Sequence, residues 1–374
     1  MIGRLLVTQL VNRIPLPLRV WLGVPKRRNP KGIANFVRGY ATLYQTEKKA
    51  EWKGKAVLLA DWLLRHESHE LNAYQGPGRA WGYHFPWQSP GFFAPRYSPN
   101  CIVSAFVGDA MLSVFEITGK RKYLDAAFGV RDFILKGLPT LLENGEEKCI
   151  GYVPVGLRWR VININSVAAG FLARLAVRTA DKELARTAGK MIHWVCERRN
   201  SDYTWDYTSP KEQSGIGPDN YHTGGILDGI YDYMTYTGDD RFAGIYAKAL
   251  ATYEKQFFTD EGAPKWRATR PFPHDIHGSA QGVMTFARAS SLHPKYSEVG
   301  KRISAWAFQN LWDAKAGRFF YQKNELFTWK IDLMRWSNSW MFRALAEQQA
   351  SSSLSQEAFQ GKVDLATEIS PGLQ

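Results

Sequence analysis

The chain has 374 residues, 45% of them hydrophobic, and a formal net charge of +13. That apolar fraction can fill a sizeable core, and the absence of an uninterrupted apolar run of about 18 residues argues against a spanning helix. Three scattered cysteines, Cys101, Cys149 and Cys196, show neither metal-ligand spacing nor a disulfide framework and point to a reducing compartment.

The charge is uneven. Residues 1–32 hold Arg4, Arg13, Arg19, Lys26, Arg27, Arg28 and Lys31 and no acid, which is +7 of the +13. Asn12, Arg13 and two prolines interrupt its apolar residues, so it does not read as a signal peptide. Two readings stay open. The segment lies on an anionic membrane surface through Leu5, Leu6, Leu10, Val11 and Trp21, or it is an arm packed on outer helices. The remaining residues carry only +6 and no nucleic-acid recognition motif, so nucleic acid is not an expected partner.

From residue 33 onward the chain repeats. Ile33 to Gln45 and Trp52 to His66 read as a helix pair. Ile102-Val103, Phe106-Val107, Ala110-Met111 and Val114-Phe115 then form an apolar stripe at helical spacing, stopped by Gly119 and followed by a second helix through Ile134. The same plan recurs with Thr179-Ala180-Asp181, Thr237-Gly238-Asp239 and Leu292-His293-Pro294 as the turns between paired helices. Asn100, Asn163, Asn220, His277 and Asn338 open successive units at intervals of 63, 57, 57 and 61 residues. A period near 60 residues marks a repeat architecture. Unit six has a first helix from Trp336 to about Glu347, then a weak Ser-rich remainder. The expected fold is all-α, an (α/α)6 toroid over 33–349, with a basic arm at 1–32 and a Ser-rich tail at 350–374. First helices pack inside and second helices outside. Long loops on one face carry small β-hairpins such as Arg318–Tyr321 and Phe327–Ile331, and loops of that length are usually functional.

Helix starts expose free N–H groups, and in a ring they face a common mouth. The densest start is Asp219-Asn220-Tyr221-His222-Thr223-Gly224-Gly225, where Asp219 or Asn220 caps and Tyr221 and His222 project from the first turn. The next is His274-Asp275-Ile276-His277, whose two histidines share a face if the segment is helical throughout. Two imidazoles on neighbouring inner helices, His222 and His277, suit removal and return of a proton at a sugar carbon. No zinc-type carboxylate and histidine motif accompanies them, so neither metal nor cofactor is expected. Asp206, Asp219, Asp275 and Asp332 lie near the same mouth, and a pair of carboxylates would suit glycoside hydrolysis instead. Trp81, Tyr83, Trp87, Trp205, Trp266 and Trp336 are candidate sugar platforms. Arg158, Arg160 and Arg335 are candidate partners for an acidic glycan. Asn100, Asn165 and Asn338 complete the candidate substrate contacts.

The Asp219–Gly225 motif, the Tyr236-Thr237-Gly238-Asp239 turn after it, and Trp81–Gln88 before Ser98-Pro99-Asn100 resemble bacterial exopolysaccharide and capsule biosynthesis proteins of the VpsJ-like type over residues 33–349. That group is similar in architecture to six-hairpin glycosidases, N-acylglucosamine 2-epimerases, glucuronyl C5-epimerases and polysaccharide lyases. The resemblance implies a place in polysaccharide production without fixing a reaction. The tryptophans and arginines point to a sugar or acidic polysaccharide as substrate, and the cysteines together with the basic arm point to a cytoplasmic place, at the inner membrane if the arm lies on it. Paired histidines in the sugar 2-epimerases agree in kind with His222 and His277. Epimerisation is the preferred activity. A hydrolase or lyase that trims the polymer, and a non-catalytic glycan-binding scaffold, are the alternatives.

Overall fold

The structure, a computed structural model, describes residues 3, 21–23, 25–89 and 91–368, with 354–368 as backbone only. Most of the basic arm therefore lies outside the described residues. Among those described, Trp21 and Leu22 are exposed.

Eleven α-helices are present among the described residues. They are α1 (Pro30–Glu47), α2 (Ala50–Leu64), α3 (Cys101–Thr118), α4 (Arg121–Asp132), α5 (Ile162–Thr179), α6 (Lys182–Glu197), α7 (Asn220–Thr237), α8 (Ala243–Phe257), α9 (Ile276–Ala289), α10 (Lys295–Leu311) and α11 (Ser339–Glu368). Odd-numbered helices form a closed inner ring, each packed on the next, with α11 returning to α1. Even-numbered helices lie outside their partners. The sequence shows why: α3 is apolar on nearly every side, whereas α2 buries only Ala56, Ala60 and Leu63. Helix α3 has the length and mean hydropathy (1.6) of a membrane span, yet 78% of it is buried inside the ring. The fold is the expected (α/α)6 toroid, with two differences. Unit six contributes one helix rather than a hairpin among the described residues. The boundary expected at residue 350 falls inside α11, where the Ser351, Ser352 and Ser353 hydroxyls donate to Gln348 and Gln349 carbonyls and leave the helix unbroken.

The turns fall where the sequence puts them. Gly119 (φ 67) and Gly238 (φ 73) are left-handed caps whose N–H groups donate to the Phe115 and Met234 carbonyls. Helices α5 and α7 approach so closely that a Cβ on Gly229 would lie 2.3 Å from the Ser166 carbonyl oxygen. Gly229→Ala should therefore cost about 1–3 kcal/mol of stability in a thermal or urea unfolding experiment.

Short strands decorate the loop face: β1 (Trp87–Gln88) with β2 (Phe93–Ala94), β3 (Thr140–Glu143) with β4 (Lys148–Ile150), β5 (His274–Asp275), β6 (Trp312–Asp313) with β7 (Arg318–Phe319), then β8 (Gln322–Lys323) and β9 (Thr328–Trp329). In the sheet β5-β8-β9, Asp275 pairs with Gln322, so the β8–β9 hairpin is anchored at the start of α9.

Ion pairs cross the lumen between the inner helices. Arg38 of α1 and Arg174 of α5 both pair with Asp109 of α3, and Arg174 also reaches Glu116 at 2.7 Å. Arg288 of α9 lies 3.3 Å from Asp232 of α7 and 2.7 Å from Glu347 of α11. Glu347 in turn accepts from Arg343 at 2.8 Å and sits 3.7 Å from Arg38. One ion-pair network thus joins all six inner helices.

Candidate active site

The Asp219 side chain ends the loop before α7 and caps that helix. Its Oδ1 accepts the His222 backbone N–H at 3.0 Å, and its Oδ2 accepts from His222 Nδ1 at 2.7 Å. A carboxylate on Nδ1 fixes the imidazole tautomer and leaves Nε2 as a lone-pair base. Nε2 has no partner among the described residues, and the side chain is 24% exposed. The dyad therefore opens into the mouth.

Tyr221 lies between the two predicted histidines. Its ring is 4.3 Å from the His222 ring and stacks on His277 at 4.7 Å and 14°. The imidazoles flank a phenol and do not face each other across a gap. His277 is covered further by Trp336 (4.4 Å, edge-on) and Trp340 (4.3 Å), and its Nδ1 is buried without a hydrogen-bond partner. Burial, with Lys31, Arg335 and His222 nearby, pushes its pKa well down, so the ring is neutral at pH 7. Burial likewise pushes the Tyr221 phenol well up, keeping it a proton donor.

Asp275 caps α9 by accepting the His277 N–H at 2.8 Å. It also accepts from Gln322 Nε2 at 2.7 Å and from Trp336 Nε1 at 2.9 Å. Burial lifts its carboxyl to about 6 against the pull of these donors. Both oxygens are taken, as they are in Asp219. Asp206 and Asp332 pair with Lys211 and Arg318.

His274 does not share a face with His277, because α9 begins only at Ile276 and His274 belongs to β5. Its Nδ1 bonds the Pro264 carbonyl at 2.7 Å, and its ring packs on Trp306 of the outer helix α10. It stands apart from the mouth, and no two-histidine metal pair forms.

The aromatic expectations divide. Trp266 and Trp336 border Tyr221 at 5.8 and 5.3 Å. Tyr83 is stacked on Phe85 at 5.2 Å, and Trp87 packs on Tyr83, Phe92 and Tyr152. Trp81 and Trp205 are not platforms. Both are buried, and their indole N–H groups donate to the Leu63 and Val195 carbonyls, which pins each loop to the end of an outer helix. The asparagines are structural as well. Asn100 caps α3, Asn165 exchanges hydrogen bonds with Ile150 of β4, and Asn338 accepts the Phe319 N–H.

Arg335 is the predicted arginine that reaches the site. Its guanidinium lies over Tyr83, Phe85 and Trp336 at 5.2–5.7 Å, with no ion pair among the described residues. Arg158 is exposed, and Arg160 donates to the Leu141 carbonyl. The three cysteines are buried, and burial raises their thiols well above the usual range, which suits core residues rather than nucleophiles.

Four residues at the site escaped the sequence reading. Tyr207 meets His222 at 4.9 Å, Trp340 packs on His277, Gln322 holds Asp275, and Lys31 is buried beside Trp340.

No protein-family model matches the chain, and no curated protein matches it in sequence. Its fold is similar to solved structures. A cellobiose 2-epimerase from Bacillus thermoamylovorans B4167 superposes with a TM-score of 0.69 at 12% identity, covering 87% of this chain and 88% of that one. A D-mannose isomerase gives 0.66 at 12% identity over 87% and 88%. An α-mannanase of glycoside hydrolase family 76 from Bacteroides thetaiotaomicron gives 0.61 at 13% identity over 88% and 87%. At these identities the likeness is one of fold.

Proposed function

We propose that the protein is a carbohydrate-active enzyme that isomerises or epimerises a sugar by moving a proton at a carbon next to a carbonyl. The observation that carries this is the Asp219–His222 dyad, with its free Nε2 open to the mouth. Nε2 takes the proton, the carbon's electron pair passes into the carbonyl to give an enediolate, and Asp219 stabilises the imidazolium that forms. The Tyr221 hydroxyl, which burial keeps protonated beside His222, is the donor for the enediolate oxygen. The same imidazolium then returns the proton to the substrate. Since His277 is walled in by Tyr221, Trp336 and Trp340, its role is to hold Tyr221 rather than to act as a second base. A single accessible base favours aldose–ketose transfer between adjacent carbons. Hydrolysis is less favoured because Asp219 and Asp275 have all their oxygens engaged. The similarity in fold to a cellobiose 2-epimerase and a D-mannose isomerase fits this reading.

The test is incubation of the protein in deuterium oxide with a panel of aldoses, ketoses and uronates. Deuterium at the carbon next to the carbonyl is the expected result. Shortened chains or an unsaturated product, with no incorporation, would overturn it. On the residue pattern alone, we also propose a place in exopolysaccharide or capsule synthesis. The same pattern suggests a cytoplasmic location with the basic segment 1–32 against the inner membrane.

A further inference from the structure

Lys31 is an unusual residue for its position. It sits in the first turn of α1, where the helix dipole disfavours a cation. It is 8% exposed, yet no carboxylate or hydrogen-bond acceptor meets its ammonium among the described residues. Its Nζ lies 4.5 Å from the Phe106 ring centre and 5.1 Å from that of Trp340, the ring that packs on His277. Lysine is almost never buried this deeply without a counterion.

The backbone brings a second cation to it. A Cβ on Gly32 would lie 3.2 Å from Arg335 Cα and 2.6 Å from Met334 Sδ, so the start of α1 is pressed against the Met334–Asn338 turn. Arg335, half-buried and without an ion pair among the described residues, is held there on aromatic faces. The charged and titratable groups that act on Lys31 are Arg335 and Arg343, and Lys31 in turn acts on His277; none is an anion. Arg335, Arg27 and Arg96 act on His84 at the rim, which burial and these cations push down to about 4. Lys31 and Arg335 are therefore two cations at the mouth that meet no carboxylate among the described residues, whereas Asp219 and Asp275 nearby are already engaged by His222, Gln322 and Trp336.

We infer that Lys31 and Arg335 form a cradle for an anionic substituent of the substrate, a carboxylate, sulfate or phosphate borne on the sugar. This rests on the sugar-binding reading of the same mouth. It names the substrate class as an acidic sugar and gives Lys31 a binding role. The bound anion supplies the counterion that the fold withholds. Burial, with Arg335 and Arg343, lowers the free amine to about 7, so anion binding draws a proton onto Lys31 at neutral pH and weakens as the pH rises above 7.

The test is titration calorimetry on the full chain at pH 7 in two buffers of different ionisation enthalpy. The ligands are D-glucuronate, D-galacturonate and D-mannuronate against glucose, galactose and mannose, with inorganic phosphate and sulfate alone as further arms. At least one uronate should bind with proton uptake, and its neutral counterpart roughly tenfold or more weaker. Lys31→Met should lose that discrimination, while Lys31→Arg retains it, and circular dichroism checks that both fold. Phosphate or sulfate binding that Lys31→Met also abolishes supports the cradle and shows that it takes the free anion as well as the sugar-borne one. Neutral sugars bound as tightly as uronates, uronate affinity unchanged in Lys31→Met, or no binding of any anion would overturn the inference. Its failure is separable from that of the isomerase reading. Deuterium exchange into neutral sugars without uronate binding removes only the cradle. Lys31-dependent uronate binding without exchange into any sugar removes only the reaction.

Discussion

Asp219→Asn should lower the rate of deuterium exchange into substrate by roughly 10²–10⁴-fold, the usual contribution of a positioned general base, with little change in melting temperature. The separation of the two effects is what makes the variant informative. Asparagine caps a helix about as well as aspartate, so the bond from the His222 N–H at 3.0 Å survives. The side-chain bond to Nδ1 does not survive in the same sense. An amide NH2 turned toward Nδ1 donates, which forces the imidazole proton onto Nε2 and blocks the base. An amide oxygen turned there instead keeps the tautomer, but it gives up the cap bond and offers no charge to the imidazolium. His222→Asn should lose as much, because it removes the base itself. His277→Phe keeps a flat ring against Tyr221, Trp336 and Trp340 and should retain measurable exchange. Exchange in Asp219→Asn within a factor of three of the parent chain would show that the dyad is only a cap. Loss in His277→Phe equal to that in His222→Asn would restore the two-histidine mechanism.

The fold was legible because it rests on local signals repeated six times. Helical spacing, left-handed glycines at 119 and 238, and loop lengths are properties of short windows, and a 60-residue recurrence multiplies each of them. The candidate site was legible only where chemistry and local structure coincide, as in Asp219-Asn220-Tyr221-His222, where a cap and a projecting imidazole are three residues apart. Elsewhere the same residue types serve the scaffold. Trp81 and Trp205 read like Trp266 and Trp336 in sequence. Which indole is buried depends on whether a carbonyl at the end of an outer helix waits for its N–H, and no local pattern encodes that. The three-residue spacing of His274 and His277 suggests a shared face, but the β5–β8 pairing delays the start of α9 and gives the two rings different neighbours. Lys31 was hidden by its neighbours. Among seven basic residues spread over 1–32 it reads as one more charge of the arm, and only contact with a turn some 300 residues away makes it a buried amine.

Glu347→Gln should destabilise the chain by about 3–5 kcal/mol, the cost typical of breaking a buried ion pair from one side. Glu347 is the carboxylate on which the last inner helix meets its neighbours. It accepts from Arg288 of α9 at 2.7 Å and from Arg343 of its own helix at 2.8 Å, and Arg38 of α1 lies 3.7 Å away. Its side chain is 11% exposed, so water replaces little of what is lost. Burial alone would raise its carboxyl, but the guanidinium groups of Arg288, Arg343 and Arg38 hold it well below the usual carboxylate range. The sign of the pH dependence follows. A carboxyl depressed in the folded chain contributes stability that is complete above its unfolded value, about 4.3, and is lost only as the pH falls through the lower folded value. The stability difference between the parent chain and Glu347→Gln should thus be constant from neutral pH down to about 4.3, and shrink only under stronger acid. Urea unfolding across that range measures the difference. The double variant Arg38→Met with Glu347→Met should lose less than the sum of the two single changes, because it leaves fewer orphaned charges in the lumen. A loss below about 1 kcal/mol in Glu347→Gln, the range of exposed pairs, would mean that helix packing closes the ring and the charges merely fill it.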